Sequence, residues 1–465
     1  MSEFPLHWLE EIINQIVERN PEVAVINTGK TTSGSIHIGI MRELIISDAI
    51  HRKLKEKGIN SVFQLFIDDF DPAKSFPQYA LDAFIQNLGL SKKEIEEKFL
   101  GKPFCDIPDP YGCHDSYGRH FAMELIETFN EFYLHPKIIW THEFYEKKEM
   151  KNAIKTALKR VHIIKEIYKK YVTPTLPPSQ QEEYNKKLET WMPATVVCEK
   201  CGKLQIKRKG EIIQNRVREY NPEEETVTYK CPNCGHEGKV KIDEGRVKLT
   251  WRVDWPAKWA ICKVTCEPAG KDHCVKGGAY DTGLEISEKV FDYEGPIKVP
   301  YEWLRLGERD MKTHKGITFT PKEFLEIANP ELIRYLILKT DPMRTISIRP
   351  ENIPQLVDEY ESFEKKYYGE EEVDEETKKV VDYLYPLTRP DEDLSLRPLR
   401  LPYRFAVIIS QLDKIMTEEQ ILNKAIEVIK RQYKIQRELT SKEIEEAKKT
   451  LYRARNWVRK YGPKM

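Results

Sequence analysis

The chain has 465 residues, of which 75 are basic and 75 acidic, so its formal net charge near pH 7 is zero. This balance excludes a protein that is strongly basic as a whole, and any nucleic-acid contact must come from local patches. No run approaches the ~18 apolar residues that a membrane-spanning helix needs, and the N-terminus lacks a secretory apolar segment. We therefore expect a soluble, cytoplasmic protein with no membrane partner and about three domains.

The first elements predict a strand, a turn and a helix. An apolar run from Val23 to Ile26 precedes a turn rich in Gly, Ser and Thr at 28–39, and a helical pattern follows from Met41 to Lys57. A helix that begins after such a turn presents free backbone N–H groups to a phosphate. The turn is neither a Walker loop nor Gly-x-Gly-x-x-Gly. His37 and the hydroxyls of Thr31, Thr32 and Ser33 are candidates to contact phosphate oxygens, and a plain strand–helix turn is the alternative.

The next elements complete a βαβ unit. A strand is predicted at Ser61 to Ile67, and it ends on the acidic turn Asp68 to Pro72. Ligands of parallel sheets bind beyond the carboxyl ends of the strands. The turn at 28–39 and the acidic cluster at 68–71 should therefore lie on one edge of the sheet.

Residues 74–111 are polar, Pro-rich and irregular apart from a short helical pattern near 91–99, and two long helical patterns follow at 115–133 and 145–171. The helix at 145–171 is rich in Lys. Its basic residues are interpreted as a solvated face, and a stripe that faces nucleic acid is the alternative.

Two pairs of cysteines predict a metal site. Each pair, Cys198 with Cys201 and Cys231 with Cys234, has Cys-x-x-Cys spacing and is followed directly by a glycine. This spacing and four thiolates favour a structural, tetrahedral Zn²⁺ in a ribbon at about 195–245, and buried free thiols are the alternative. Cys113, His114 and His120 are candidates for a second metal site.

The remaining pattern predicts a module inserted between two halves of one parallel sheet. Prolines at 173–178 mark a linker, strands are predicted at 247–253 and 261–266, and an α/β pattern resumes at 288–299. From Pro321 onward the chain is predominantly helical.

Several motifs together resemble one known family. His37-Ile38-Gly39 resembles part of the signature of class I aminoacyl-tRNA synthetases. Further motifs in the same order resemble archaeal-type class I lysyl-tRNA synthetase over about residues 20–350, and more weakly to the C-terminus. These motifs are Asp68 to Asp71, Ile107 to His114, Leu249 to Trp259, Glu267 to His273, Gly277 to Gly283 and Pro300 to Trp303.

The resemblance implies an α/β Rossmann-like class I synthetase core with a zinc-ribbon-containing insertion and a C-terminal α-helical domain. The core would comprise 1–135 and 245–305, the insertion 136–244, the signature-loop and stem-contact region 306–350, and a shortened tRNA-binding domain 351–465. The implied activity is ATP-dependent activation of L-lysine and its ligation to tRNA-Lys, with Mg²⁺ accompanying ATP and Zn²⁺ as a structural ion. A monomer is expected.

The same resemblance implies the site residues. The expected ATP-binding residues are Ser33, Gly34, His37, Gly39, Gly270, Asp272, His273 and Lys315. Lysine carries an ε-ammonium, so its pocket needs carboxylates and aromatic faces. The expected lysine-binding residues are Thr28, Gly29, Asp69, Trp251, Asp254, Trp255 and Tyr280.

The chain departs from the family pattern in its signature loop, 310–316. The second lysine of the family loop is present as Lys315, whereas Asp310 replaces the first and Lys312 supplies a nearby charge. We expect His37, Lys312 and Lys315 to be catalytic, because cations near the phosphates stabilise the developing negative charge. Typical members continue beyond the segment that resembles 452–461, so part of the anticodon-reading region is expected to be reduced. A diverged paralogue and a non-catalytic RNA-binding scaffold are the alternative functions.

Overall fold

The computed structural model describes residues 6–311 and 318–462. Its centre is a five-stranded parallel sheet with the spatial order β12-β11-β1-β2-β3. The strands are β1 (Ala24–Lys30), β2 (Ser61–Ile67), β3 (Lys137–Trp140), β11 (Val264–Gly270) and β12 (Ile297–Tyr301). The chain therefore runs outward from β1 to one side and then, after β3, to the other side, which is the strand order of a doubly wound nucleotide-binding sheet.

Helices of the first 130 residues pack around this sheet. They are α1 (Trp8–Arg19), α2 (Ile40–Glu56), α3 (Gln78–Leu88), α4 (Lys92–Phe99) and α5 (Tyr117–Ile126). Helix α2 is the crossover between β1 and β2, and most of its residues are buried. Such extensive burial is expected for a helix that lies between a sheet and a second layer of helices.

An insertion separates β3 from β11. It begins with α6 (Thr141–Tyr145), α7 (Lys148–Lys159), α8 (Val161–Tyr171) and α9 (Pro178–Glu189). The short strands that follow are all antiparallel: β4 (Ala194–Val196) with β10 (Val247–Leu249), β5 (Gln205–Arg208) with β6 (Glu211–Gln214), and β7 (Val217–Asn221), β8 (Thr226–Lys230) and β9 (Glu237–Lys241) as one three-stranded sheet. The pair β4–β10 forms the base of this module.

The chain then returns to the sheet and ends in helices. The remaining elements are α10 (Trp251–Cys262), α11 (Lys271–Cys274), α12 (Ala279–Phe291), β13 (Leu304–Leu306), α13 (Pro321–Leu325), α14 (Pro330–Lys339), β14 (Ile346–Ile348), α15 (Ile353–Tyr367), α16 (Glu375–Thr388), α17 (Tyr403–Ile409), α18 (Glu418–Gln432) and α19 (Ser441–Tyr461). Single 3₁₀ turns occur at Phe104–Asp106, Thr173–Thr175, Ile242–Glu244, Pro350–Asn352 and Ser410–Leu412.

The C-terminal helices share one hydrophobic core with the sheet. The fully buried Arg334 of α14 joins the two parts. Its guanidinium donates to Asp48 Oδ2 of α2 at 2.6 Å, to the Leu387 carbonyl of α16 at 2.8 Å and to the Phe132 carbonyl at 3.1 Å. A buried charge is tolerated when it is paired and fully hydrogen-bonded in this way.

Several predicted elements differ from the structure. The helix predicted at 115–133 ends at Ile126, and the one predicted at 145–171 divides at Arg160. Helices α3 and α9 and strand β3 were not predicted, and β3 extends the sheet beyond the predicted core boundary at residue 135. The strand predicted at 247–253 ends at Leu249, because helix α10 begins at Trp251. None of the described helices is both long enough and apolar enough to cross a membrane.

Candidate functional site

The switch point of the sheet lies between β1 and β11, where the chain crosses to opposite sides. In sheets of this order, ligands bind outside the carboxyl ends of the strands at this point. Gly29 lies near the end of β1, and Gly270 ends β11. A Cβ atom at Gly270 would have no neighbour within 4 Å among the described residues, so the edge is open there.

The loop after β1 is held in place by hydrogen bonds with side chains from other parts of the chain. Thr31 Oγ1 donates to Asp71 Oδ2 at 3.0 Å, Tyr117 donates to the Ser33 carbonyl at 2.9 Å, and Ser35 N donates to Tyr79 at 2.7 Å. Within residues 6–311 and 318–462, the backbone N–H groups of Thr32, Ser33 and Gly34 have no hydrogen-bond acceptor. Free N–H groups ahead of a helix are suited to bind phosphate.

His37 is a neutral hydrogen-bond donor beside this loop. Burial, together with the charge of Lys30, lowers the pKa of His37 to about 4. Gly39 N donates to His37 Nδ1 at 3.1 Å, so the ring proton is on Nε2. A Cβ at position 39 would lie 2.6 Å from His37 Cε1, so the glycine is needed for this ring position.

Two buried carboxylates flank the switch point. Glu43 of α2 accepts hydrogen bonds from Tyr301 at 2.5 Å and from Gly29 N at 3.3 Å, and burial raises the pKa of Glu43 to about 7. Glu267 of β11 is also buried, which raises its pKa. It accepts from Asn27 Nδ2, Trp255 Nε1 and Trp259 Nε1 at 2.8, 2.7 and 2.6 Å. Among the described residues, neither carboxylate has a Lys, Arg or His nitrogen within 4.0 Å.

A third carboxylate, Asp68, also faces Gly29. A Cβ built on Gly29 would lie 3.4 Å from Asp68 Oδ2. The other oxygen, Oδ1, accepts from Lys258 Nζ at 2.7 Å and from Thr141 at 2.9 Å. Asp68 is therefore oriented by the protein through one oxygen while the second points toward the end of β1.

The two carboxylates expected in the lysine pocket are engaged elsewhere. Asp69 Oδ1 accepts from His142 N at 3.1 Å, and its Oδ2 pairs with His142 Nδ1. Asp254 accepts from Tyr145 and pairs with Lys258 Nζ at 3.0 Å. Both carboxylates therefore already have a partner within the protein, whereas Asp68 Oδ2 and Glu43 lie beside Gly29 at the end of β1.

Aromatic rings lie beside the end of β11. The ring of Trp255 is 5.2 Å from Tyr280 and 5.9 Å from His273, and Trp251 is 5.7 Å from His273. Trp251 is 47% exposed, whereas Tyr280 is buried and donates to the Glu267 carbonyl at 3.0 Å. The predicted aromatic residues are therefore brought together, with Trp251 and Trp255 on the accessible side.

Other predicted residues occupy different places. Thr28 is buried and donates to the Gln64 carbonyl at 3.2 Å, whereas Asp272 is exposed on α11. Asp310 pairs with Arg305 at 2.8 Å. Lys312 and Lys315 lie outside the described residues.

The four cysteines of the insertion form one cluster. Cys198 Sγ lies 3.6 Å from Cys234 Sγ, and Cys201 Sγ lies 3.6 Å from Cys231 Sγ. These separations are too long for disulfides and match the ~3.8 Å edges of a tetrahedron of thiolates around zinc. Gly202 and Gly235 have φ of 71° and 73°, and each N–H donates to the carbonyl of the first cysteine of its pair. The donor set therefore fits Zn²⁺.

A second cluster combines Asp109, Cys113, His114 and His120. Cys113 Sγ is 3.1 Å from His114 Nδ1 and 3.3 Å from His120 Nδ1. Asp109 Oδ2 is 3.4 Å from the thiol and 3.2 Å from His120 Nδ1. These separations correspond to the edges of a tetrahedron around zinc with one oxygen, one sulfur and two nitrogen ligands. The cluster includes the three residues suggested by the sequence and adds Asp109, which the sequence did not single out.

Comparison with known proteins decides the family. The family model described as tRNA synthetases class I (K) matches residues 6–386. The chain belongs to the class I (K) tRNA synthetases. It is 34% identical over 468 residues to a lysine–tRNA ligase of Methanocaldococcus jannaschii, covering 99% of this chain and 82% of that protein. It is 35% identical to one of Methanococcus maripaludis (98% and 82% covered) and 32% identical to one of Archaeoglobus fulgidus (98% and 81%).

Several basic residues of the Lys-rich helices α7 and α8 are paired with carboxylates. Of the basic residues on α7 and α8, Lys155 pairs with Glu225, Lys169 with Glu166 and Lys170 with Glu285. These pairs favour the interpretation of a solvated face. At the C-terminal end, Arg453 of α19 is buried and donates to the Leu325 carbonyl.

Proposed function

We propose that this class I synthetase activates L-lysine with ATP and ligates it to tRNA-Lys. In the first step, a carboxylate oxygen of lysine attacks the α-phosphorus of ATP and diphosphate leaves. In the second step, a hydroxyl of the tRNA 3′-terminal adenosine attacks the carbonyl carbon of the adenylate and AMP leaves. The similarity to the archaeal lysine–tRNA ligases over nearly the whole chain supports this function.

The observation that carries lysine as the substrate is the unpaired Glu43. A buried carboxylate without a direct cation partner is costly, and burial raises the pKa of Glu43 even though the more distant charge of Lys30 lowers it in part. An ε-ammonium placed against Glu43 would offset this cost of burying the charge. The negative charge of Glu267 lies close enough to raise the pKa of Glu43 further, and it would also attract the ammonium. We assign the ε-ammonium to Glu43, which accepts from Tyr301 and Gly29 N on its other sides.

The second ammonium of the substrate fits Asp68. Lysine carries a positive charge at each end, and Glu43 and Asp68 approach Gly29 on two sides. Because Lys258 and Thr141 hold Asp68 Oδ1, the free oxygen Oδ2 is positioned for the α-ammonium. Trp251 and Trp255 would then cover the aliphatic stem of the substrate. Asp254, expected in this pocket, would act through Lys258, whereas Asp69 is paired with His142.

ATP fits the loop after β1 and the end of β11. The free N–H groups of Thr32, Ser33 and Gly34 and the Nε2–H of His37 would bind the triphosphate. A Mg²⁺ ion bound with ATP would screen the phosphate charges. Gly270 leaves room at the switch point, next to His273 and Asp272. We propose that Lys315 and Lys312 complete this site from the signature loop.

Two structural zinc ions are proposed. Cys198, Cys201, Cys231 and Cys234 would bind the first, and Asp109, Cys113, His114 and His120 the second. Neither donor set leaves an open position, so neither ion would bind substrate. We also propose that α15 to α19 contact the tRNA, and that the enzyme is a cytoplasmic monomer.

Metal analysis of protein purified without chelator tests the zinc proposal. We expect about two zinc ions per chain, and about one after Cys231→Ser or His120→Ala. Cys262→Ala is the matched control, because Cys262 belongs to neither cluster. A single ion in the parent protein that is lost with Cys231→Ser would eliminate the second site.

The activity is tested by lysine-dependent exchange of diphosphate into ATP, with and without tRNA-Lys. Exchange with lysine and none with arginine is expected. Exchange that proceeds without any transfer to tRNA would indicate a diverged paralogue, and no exchange under either condition would favour a non-catalytic scaffold.

A further inference from the structure

A chain of polar contacts joins the insertion to the phosphate loop. Lys248 of β10 is buried, with only 6% of its side chain exposed, and its Nζ lies 3.0 Å from Asp71 Oδ1. The other oxygen of Asp71 accepts the hydrogen bond from Thr31 Oγ1 at 3.0 Å. One carboxylate thus binds a lysine of the insertion and a hydroxyl of the loop after β1.

Lys248 lies at the root of the insertion. It is paired across β10 and β4 with Thr195, and Cys198 follows the end of β4 by two residues. The position of Lys248 is therefore set in part by its pairing with the strand that leads into the four-cysteine module.

The loop has few other supports on this side. Tyr117 and Tyr79 hold Ser33 and Ser35 from the side of α3 and α5. Among the described residues, only Thr31 of residues 31–35 makes a side-chain hydrogen bond to the acidic turn after β2. The side chain of Ser35 bonds to Glu124 of α5 instead. Loss of the Thr31 bond would release the N–H groups of the loop from the geometry that phosphate requires.

Lys248 also favours the ionised form of Asp71. Burial alone would raise the pKa of Asp71, but the attraction and hydrogen bond from Lys248, with smaller contributions from Lys258 and Thr31, lower it. Lys258 is occupied by Asp68 and Asp254. Without Lys248, Asp71 would therefore lack its principal cation and would no longer present a fixed acceptor to Thr31.

We propose that Lys248 is a positioning residue for ATP: through Asp71 and Thr31, the insertion sets the affinity of the phosphate loop for the nucleotide. The residue touches no substrate. This inference rests on the proposed function for its biological meaning, whereas the contact chain is testable by nucleotide binding alone.

The test measures the Kd for ATP by titration calorimetry, without lysine, for Lys248→Met, Thr31→Val and the double variant. Each single variant should weaken ATP binding about tenfold, as expected for a hydrogen bond to a charged group. If the residues act in one chain, the double variant should also lose about tenfold, and not about a hundredfold. Lys248→Arg should restore most of the affinity.

Lys155→Met is the matched control, because Lys155 is another insertion lysine paired with a carboxylate, Glu225, away from the loop. It should leave the ATP Kd unchanged. KM for lysine in the exchange assay should stay constant in all variants, since a general loss of structure would raise both constants. Thr31→Val replaces only a hydroxyl, so it remains informative if Lys248→Met does not fold.

An unchanged Kd in Thr31→Val, or losses that multiply in a folded double variant, would overturn the proposal. Failure of the parent protein to exchange diphosphate with lysine would instead contradict the proposed function and leave the binding result intact.

Discussion

Lysine binding should depend on pH through Glu43. Burial raises the pKa of this carboxyl to about 7 in the free protein, and only its ionised form can pair with the ε-ammonium. About 9% of Glu43 is then ionised at pH 6 and about 91% at pH 8. KM for lysine should therefore fall about tenfold between pH 6 and pH 8, since the raised pKa makes the binding-competent form the minor one below 7.

The assay is lysine-dependent diphosphate exchange at saturating ATP and Mg²⁺, with KM for lysine measured at intervals of half a pH unit. The pKa of His37, lowered to about 4, keeps its imidazole neutral over this range, so it adds no titration of its own. Glu43→Gln is the control variant: it should raise KM for lysine at pH 8 and abolish the dependence on pH. A KM in the parent that is flat from pH 6 to 8, or a variant with the same slope as the parent, would refute the assignment of the ε-ammonium to Glu43.

Four further substitutions, two of them a matched pair, test the site. Asp68→Asn should raise KM for lysine about 10- to 100-fold, whereas the isosteric Asp69→Asn should change it far less, and equal effects would return Asp69 to the pocket. Gly39→Ala should lower kcat for exchange about 10²-fold, because the new Cβ would lie 2.6 Å from the ring of His37, and unchanged kcat would show that the ring position is unimportant. Lys315→Ala should lower the rate of adenylate formation about 10²- to 10³-fold in single-turnover experiments and leave KM for lysine unchanged, and a parent-like rate would remove the loop from catalysis.

The pattern of apolar and polar residues was sufficient to predict the first βαβ unit. The strand predicted from Ser61 to Ile67 is confirmed as β2, and the glycine-rich turn does precede a buried helix. The spacing of the four cysteines correctly predicted that their thiols meet, although the zinc itself remains a prediction. The βαβ unit depends on residues close together in the chain, whereas the cysteine cluster joins two local Cys-x-x-Cys pairs that are about 30 residues apart, and the repeated spacing of the two pairs is what indicated their meeting.

The pocket depends on contacts that spacing does not encode. Asp68 and Asp69 are adjacent carboxylates after the same strand, and only the positions of Gly29 and His142 show which one faces the end of β1. Glu43 resembles an ordinary acidic residue in the first turn of a helix, where a negative charge is favoured anyway. The alternation of Val247, Leu249 and Val253 resembles a strand, but tertiary packing starts a helix at Trp251.

The central place of β1 in the sheet has a consequence for how the chain is made. Val25 N of β1 donates to the Thr265 hydroxyl of β11, which is 240 residues later in the chain. The other neighbour of β1 in the sheet, β2, follows directly after α2. At a synthesis rate of roughly 5–20 residues per second, one edge of β1 stays unpaired for roughly 10–50 seconds until its partner β11 has been translated. During that interval an apolar strand edge is available to other chains. Nascent protein should therefore be prone to association until β11 emerges, and a fragment that stops before Val264 should aggregate.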